Sequence, residues 1–348
     1  MFDFLFRVDA DSATGAGHLM RCVALVEGLR RRGFQIGVVG SVTDRVSRAA
    51  LSVDVPVLSL ADHPACNCLI IDSYLPIDTL LAPWPASLPV VLVDDEANRT
   101  SDRRMLVVSP MGNPSALAKC FPRSEVITGV ESLFVREEVR QARRTRSAGY
   151  DRGNEDDYTG YRSAPKVFVT LGVSEQSPVL ERITHALVEL LDRAVELIVY
   201  SSASSLRLQA DNLSVINQFS DRFIKVMAGQ ADLVVCGAGQ TLIEMSYIGV
   251  PVIGVVIAPN QRDCGRLLSG LGIPVLNDLN AVENDLLFYI GQIYPQFLNN
   301  RLRPAGSELT GSSLSAREKG KEQGRQQGRQ KIAQNQDQLI DRICEMLP

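Results

Sequence analysis

The stretch from Phe2 to Leu29 constrains the fold more than any other part of the chain. Phe2 to Val8 is an apolar run with the length of a buried strand. Small and polar residues follow, and then Leu19, Cys22, Val23, Leu25, Val26 and Leu29 recur at helical spacing. A strand, a glycine-bearing loop and a helix in that order predict an α/β fold. Gly15 and Gly17 allow positive φ or the close approach of a ligand, and His18 falls at or near the first helical position. There the positive end of the helix dipole disfavours imidazolium and leaves a neutral ring able to accept a proton. Arg21, three residues on, shares a helix face with His18 and is placed to meet an anionic group. The structural alternative is a tight turn in which His18 only caps the helix, because a lone G-x-G-H is a short motif.

The same device recurs down the chain. Arg30, Arg31, Arg32 and Gly33 stop the first helix, Phe34 to Val39 reads as a strand, 41–52 as a helix and Val55 to Leu60 as a short strand. Two further apolar runs end in acids: Cys68 to Asp72, continuing into Ser73 and Tyr74, and Pro89 to Asp95, with Asp94 and Asp95 at its end. Open α/β sheets bind ligands at such carboxyl ends. Each acid has a plainer role as a helix cap or a loop-amide acceptor. For Asp94 the functional reading is stronger, since Asp95, Asn98 and Arg99 crowd the same edge. Leu106 to Ser109 is another strand, and 133–149 reads as a helix that becomes strongly basic.

At 348 residues the chain is long for one core. The polar, aliphatic-poor stretch 150–165 has the composition of a linker, which predicts an N-terminal domain over 1–149 and a second over 166–305. The second restarts the pattern of the first: a strand over Val167 to Leu171, then Gly172, a helix over 178–193 and a strand over Val195 to Tyr200. His185, on that helix, reads as a surface or packing residue. Residues 306–336 are of low complexity, and Ile340, Ile343, Cys344 and Leu347 suggest a last amphipathic helix within a 306–348 tail.

The second half is most informative from Ala231 to Gly270. A strand over Leu233 to Cys236 runs through Gly237, Ala238, Gly239 and Gln240 into a helix over Thr241 to Ile248, and a strand over Val252 to Ile257 follows. Backbone amides of Ala238, Gly239, Gln240 and Thr241 and the Thr241 hydroxyl suit a phosphate at a helix N-terminus. Glu244, read as first-turn, is suited to accept two vicinal sugar hydroxyls or merely to stabilise its helix. Asn260 and Gln261 add amides to the same rim.

Charge and composition narrow the rest. A net charge of −4 with mixed signs gives no support to nucleic-acid binding. Seven scattered cysteines and three histidines argue for reduced core thiols and against a metal site. With no leader-like pattern at the start and no apolar window of membrane-spanning length, the expected location is the cytoplasm.

The ordered set of motifs resembles a known family. The pieces are Arg7-Val8-Asp9, Gly15-Ala16-Gly17-His18, Met20-Arg21-Cys22, Ile71-Asp72-Ser73-Tyr74, Val93-Asp94-Asp95, Thr170-Leu171-Gly172, Gly239-Gln240-Thr241 with Glu244, Gly249 and Pro251, and Asn260-Gln261. Together they are similar to the UDP-2,4-diacetamido-2,4,6-trideoxy-β-L-altropyranose hydrolases of pseudaminic acid biosynthesis, relatives of the GT-B glycosyltransferases of the MurG type. The resemblance implies two Rossmann-like domains facing a cleft, with UDP near Gly239, Thr241 and Glu244 and the sugar toward the His18 loop. It implies hydrolysis at the anomeric carbon, His18 activating water, no cofactor, and a UDP-sugar as the small-molecule partner. Departures from the family pattern include Val173 after Gly172, and Ala238 and Gln240. Two alternatives stay open: a GT-B transferase in which His18 deprotonates an acceptor hydroxyl, and a nucleotide-sugar-binding protein without turnover. For a transferase acting on lipid carriers, the basic run Arg140 to Arg146 is a candidate surface patch.

Overall fold

The computed structural model describes residues 1–9, 17–40, 55–59, 61, 64–110, 112–151, 164–172, 177–201, 208–216, 223–293, 297, 335 and 337–348. The chain divides into two compact units, Met1–Glu137 with Gln330–Pro348, and Glu138–Arg329. The readings made for 41–52, for most of the 150–165 linker, for Val173 and for nearly all of 306–336 lie outside the described residues.

The first unit contains strands β1 (Phe2–Val8), β2 (Ile36–Val39), β3 (Val57–Leu58), β4 (Cys66–Asp72), β5 (Val90–Val93), β6 (Leu106–Ser109) and β7 (Glu125–Thr128). All pair parallel, in the order β3-β2-β1-β4-β5-β6-β7. Helices α1 (Gly17–Arg31), α2 (Ile77–Leu81) and α3 (Pro114–Cys120) connect them. The strands read as continuous apolar runs because both sheet faces are covered. Phe4, Phe6, Val8, Cys68 and Ile70 join one core with α1, while Leu5, Leu69, Ile71, Val90 and Leu92 join the other with Ile77, Leu80 and Leu117. The core beneath α1 is completed from the far end of the chain. Residues 337–344 are helical, and Leu339, Ile340 and Ile343 are buried in that core.

The second unit takes α4 (Glu137–Asp151) from its second residue on and holds β8 (Lys166–Thr170), α5 (Ser177–Leu190), β9 (Glu196–Tyr200), β10 (Leu213–Ile216), α6 (Phe223–Gln230), β11 (Leu233–Gly237), α7 (Gln240–Ile248), β12 (Val252–Val255), α8 (Arg262–Gly270), β13 (Val275–Leu276) and α9 (Val282–Ile293). Its parallel sheet runs β10-β9-β8-β11-β12-β13, the same doubly wound order. In each sheet the order reverses beside the first strand, between β1 and β4 and between β8 and β11. That switch point opens a crevice at the carboxyl ends of the strands.

The fold departs from the periodicity at several elements. Residues 133–136 lie in neither helix nor strand, with Leu133 extended, and the helix begins at Glu137. Leu133, Phe134 and Val135 are buried in succession, which one helix face cannot achieve. The strand expected from Phe34 shortens to Ile36–Val39, and that expected from Val55 shortens to Val57–Leu58. The helix carrying Glu244 begins one residue earlier than its pattern, at Gln240, so Glu244 falls in the second turn.

Candidate functional site

Ionic side chains converge at the switch point of the first unit. Arg21 reaches down from α1 onto the end of β4, where its Nε donates to Asp72 Oδ2 at 2.5 Å and its Nη2 to Asp72 Oδ1 at 2.6 Å. Its Nη1 donates to Asp95, just beyond β5. Asp72 is fully buried and also accepts from the Cys22 thiol, at 3.5 Å. Burial alone would weaken the hold of Arg21 on its proton. The charges of Asp72 and then Asp95 more than reverse this and set the pKa well above the ordinary guanidinium value. The Cys22 thiol is pushed well up, first by burial and then by Asp72. The remaining Asp95 oxygen, Oδ1, is buried without a hydrogen-bond partner among the described residues.

Two further carboxylates hold the same edge together. Asp9 pairs with Arg7 Nη1 at 2.6 Å and accepts from Ser73 Oγ at 2.5 Å, linking the ends of β1 and β4. Asp94 accepts from the backbone amides of Glu96 and Ala97, each at 3.0 Å, and from Arg99 Nε at 2.9 Å. Arg99 Nη1 in turn donates to the carbonyls of Ser73 and Leu75. This turn holds Ala97 at φ 51, a left-handed conformation uncommon for a residue with a Cβ. Asn98 does not join the network and bonds to the exposed Glu96. Tyr74 is half-buried beside Ser73. Gly17 and His18 are the first two positions of α1, while Gly15 and the His18 side chain lie outside the described residues.

Arg7, Ser73 and Cys22 are parts of this network that the sequence carries inside its motifs but that its pattern assigned no role in the site. Arg7 carried a signal, because it is the one basic residue in a strand otherwise apolar from Phe4 to Val8. Gly40 serves the same corner. At φ 145, a Cβ there would overlap the Val8 carbonyl oxygen and crowd Arg7 Nη1.

In the second unit the switch point is built from glycines. Gly172, at φ 93, follows β8, where its amide donates to Thr170 Oγ1 at 3.4 Å, and a Cβ on it would meet nothing within 4 Å. Gly237 ends β11 and Gly239 caps α7 without a side-chain hydrogen bond. The amides of Ala238 and Gly239, read as phosphate donors, are used within the loop, donating to the carbonyls of Val255 and Gly237. The first-turn amides of α7, from Gln240 and Thr241 onward, are the ones a helix end presents without an intrahelical acceptor. Glu244 is buried, and its Oε1 accepts from Gln240 Nε2 at 3.3 Å. Gln261 Oε1 accepts from the Ile257 amide at 3.1 Å, so its Nε2 is directed to the Gly237–Gly239 loop, 3.8 Å from where a Gly239 Cβ would stand. Asn260 lies in the turn Pro259–Gln261, its side chain outside the described residues.

Arg143 and Arg146 of α4 turn inward, while Arg144 is exposed. The Arg143 guanidinium stacks 4.7 Å from the Tyr247 ring centroid, and Arg146 Nη1 donates to the Ala228 carbonyl at 2.6 Å, at the end of α6. His185 is exposed and 3.6 Å from Glu189. Among the described residues no group of His, Cys, Asp and Glu side chains could hold a metal ion. No helix among them is long and apolar enough to cross a membrane.

No protein-family model and no curated protein matches the chain. Solved structures do. The chain is similar to the glycotransferase of kitacinnamycin, with a TM-score of 0.61 at 16% identity over 100% of both chains. It is similar to MurG of Acinetobacter baumannii, with a TM-score of 0.53 at 15% identity over 99% of each. To the spinosyn rhamnosyltransferase SpnG the TM-score is 0.58 at 14% identity, covering 98% of this chain and 99% of that one. At these identities the likeness shows the fold, the paired α/β architecture of GT-B glycosyltransferases.

Proposed function

We propose that the chain is a GT-B-type enzyme that transfers a sugar from a nucleoside diphosphate sugar to an acceptor hydroxyl. The carrying observation is the β11–α7 junction. An uncapped helix N-terminus opens at the switch point of a parallel sheet, beside the fixed Gln261 amide and the buried Glu244. The full-length likeness to glycosyltransferases supports the reading, and SpnG has been solved with thymidine diphosphate.

In this reading the C-terminal unit holds the donor. The first-turn amides of α7 and Gln261 Nε2 bind the diphosphate, and the positive end of the helix stabilises the charge that grows on it as the bond to the anomeric carbon breaks. Glu244 accepts ribose hydroxyls in place of the Gln240 amide. The N-terminal unit supplies His18, which takes the acceptor hydroxyl proton while that oxygen bonds the anomeric carbon from the side opposite the departing diphosphate. The product is inverted.

Hydrolysis is the second reading, favoured by the motif set from Arg7 to Gln261 that resembles the UDP-sugar hydrolases. Water then replaces the acceptor, with His18 in the same role, and a 6-deoxy diacetamido sugar is the substrate. The test is nucleoside diphosphate release from a panel of UDP- and TDP-sugars, with and without hydroxyl acceptors, beside His18→Ala. Release that depends on an acceptor and is lost in the variant is expected. Release without acceptor, lost in the variant, moves the assignment to hydrolysis. Tight binding with no release under either condition overturns both.

A further inference from the structure

We infer that Arg21, Asp72 and Asp95 position the first turns of α1, and with them His18, rather than bind an anionic part of the substrate. The inference rests on the reading of His18 as the base. Each of the three guanidinium nitrogens of Arg21 donates to a carboxylate of this chain: two to Asp72 in a bidentate fork, one to Asp95. Two carboxylates against one guanidinium leave an excess of negative charge within the trio, and among the described residues Asp95 Oδ1 has no donor to offset it. An anion approaching this corner is repelled.

What the trio does instead follows from its geometry. Buried ion pairs add little stability over well-packed apolar groups, and fixing one arrangement among several is their best-attested use. A planar fork on Asp72 sets both the rotation of α1 about its axis and its height above β4, which an apolar contact would leave adjustable. His18 lies one turn before Arg21 on the same helix, so its backbone position is set by the same anchor. Asp95 carries the anchor to β5, whose outgoing loop is itself pinned by Asp94 and Arg99. Misplacing a catalytic group by about 1 Å is enough to cost about a hundredfold in rate.

Two variants and two readouts test this in the full chain. Arg21→Lys keeps the charge and loses the fork. Asp95→Asn keeps the shape and an accepting oxygen, leaves the Asp72 fork whole, and so guards against loss of fold in the first variant. Amide hydrogen exchange is expected to quicken in 21–24, whose amides bond the carbonyls of the first turn of α1, in both variants, with the β11–α7 segment of the other unit unchanged. Steady-state kinetics are expected to show kcat reduced about tenfold to a hundredfold in Arg21→Lys and less in Asp95→Asn, with KM for the nucleotide sugar within about threefold of the parent. Raised KM at unchanged kcat would mean that the trio touches substrate, and the inference falls. Unchanged exchange in 21–24 for both variants also overturns it, whether or not turnover is found. Loss of activity in His18→Ala is a separate result, so failure of the base assignment is distinguishable from failure of the anchor.

Discussion

At the scale of single residues, the N-terminal sheet edge is governed by charge compensation in a dry place. Asp72 has no contact with water, and both its oxygens are committed to Arg21. Removing the carboxylate takes the fork from a buried guanidinium and leaves it the pair with Asp95, so Asp72→Ala is expected to lower unfolding free energy by up to about 3–5 kcal/mol. Arg182→Ala, which breaks the exposed pair with Glu283, is expected to leave the urea midpoint nearly where it was. Glu27 offers a test with the opposite sign. Burial pushes its carboxyl above the ordinary 4.5, against the pull of the Glu137 amide and of Arg136 and Arg31. A group that holds its proton more tightly when folded contributes stability fully below the unfolded value, and that contribution is lost as pH rises through the raised one. Glu27→Gln keeps an acceptor for the Glu137 amide, which Glu27 Oε2 meets at 2.7 Å. Its urea midpoint is expected to decline less than that of the parent as pH is raised from 4 to 7.

At the scale of elements, the C-terminal site depends on how closely α7 lies on its sheet. Gly254 in β12 faces Leu242 of α7, and a Cβ at Gly254 would overlap Leu242 Cδ2. The missing side chain lets the helix settle with its N-terminus at the strand ends. Gly254→Val is expected to lower stability by about 1–3 kcal/mol through overpacking. Because it lifts the first turn of α7, it is also expected to weaken nucleoside diphosphate binding measured by calorimetry at a temperature where the variant is folded. Elements such as β11 and α7 were legible in the sequence, because an apolar run buried on both faces and a Gly-rich junction leave few other folds open. Edge strands such as β7 and β10 were not. Their residues are half-exposed and mixed in character, and only pairing with the neighbouring strand makes them strands. The same limit applies to the site. Asp72, Asp94 and Asp95 could be placed at strand ends from their position after apolar runs, but which cation each would meet depends on contacts across 51 residues for Asp72 and 74 for Asp95. No local pattern records such pairings.

At the scale of the whole molecule, each unit has its own covered sheet, but the first closes its core with residues from the far end of the chain. Leu339, Ile340 and Ile343 are buried among α1 and β1 side chains, and Gly28 of α1 gives Ile340 its room, since a Cβ there would overlap the Ile340 side chain. Salt bridges flank this contact, Arg32 with Asp341 at 2.5 Å and Arg342 with Glu125. Exposed pairs of this kind orient the helix more than they hold it. The aliphatic burial decides the energetics. Three such side chains, at about 1.5–3 kcal/mol each, amount to a large part of the roughly 5–15 kcal/mol that keeps a domain folded. Deleting 337–348 is therefore expected to lower the melting of the N-terminal unit sharply and to uncover α1 to solvent. The C-terminal unit, whose core among the described residues takes nothing from this segment, should keep its amide-exchange protection in β8, β11 and β12. Equal loss of protection in both units would show that their stabilities are coupled and that the terminal helix serves more than the core it enters.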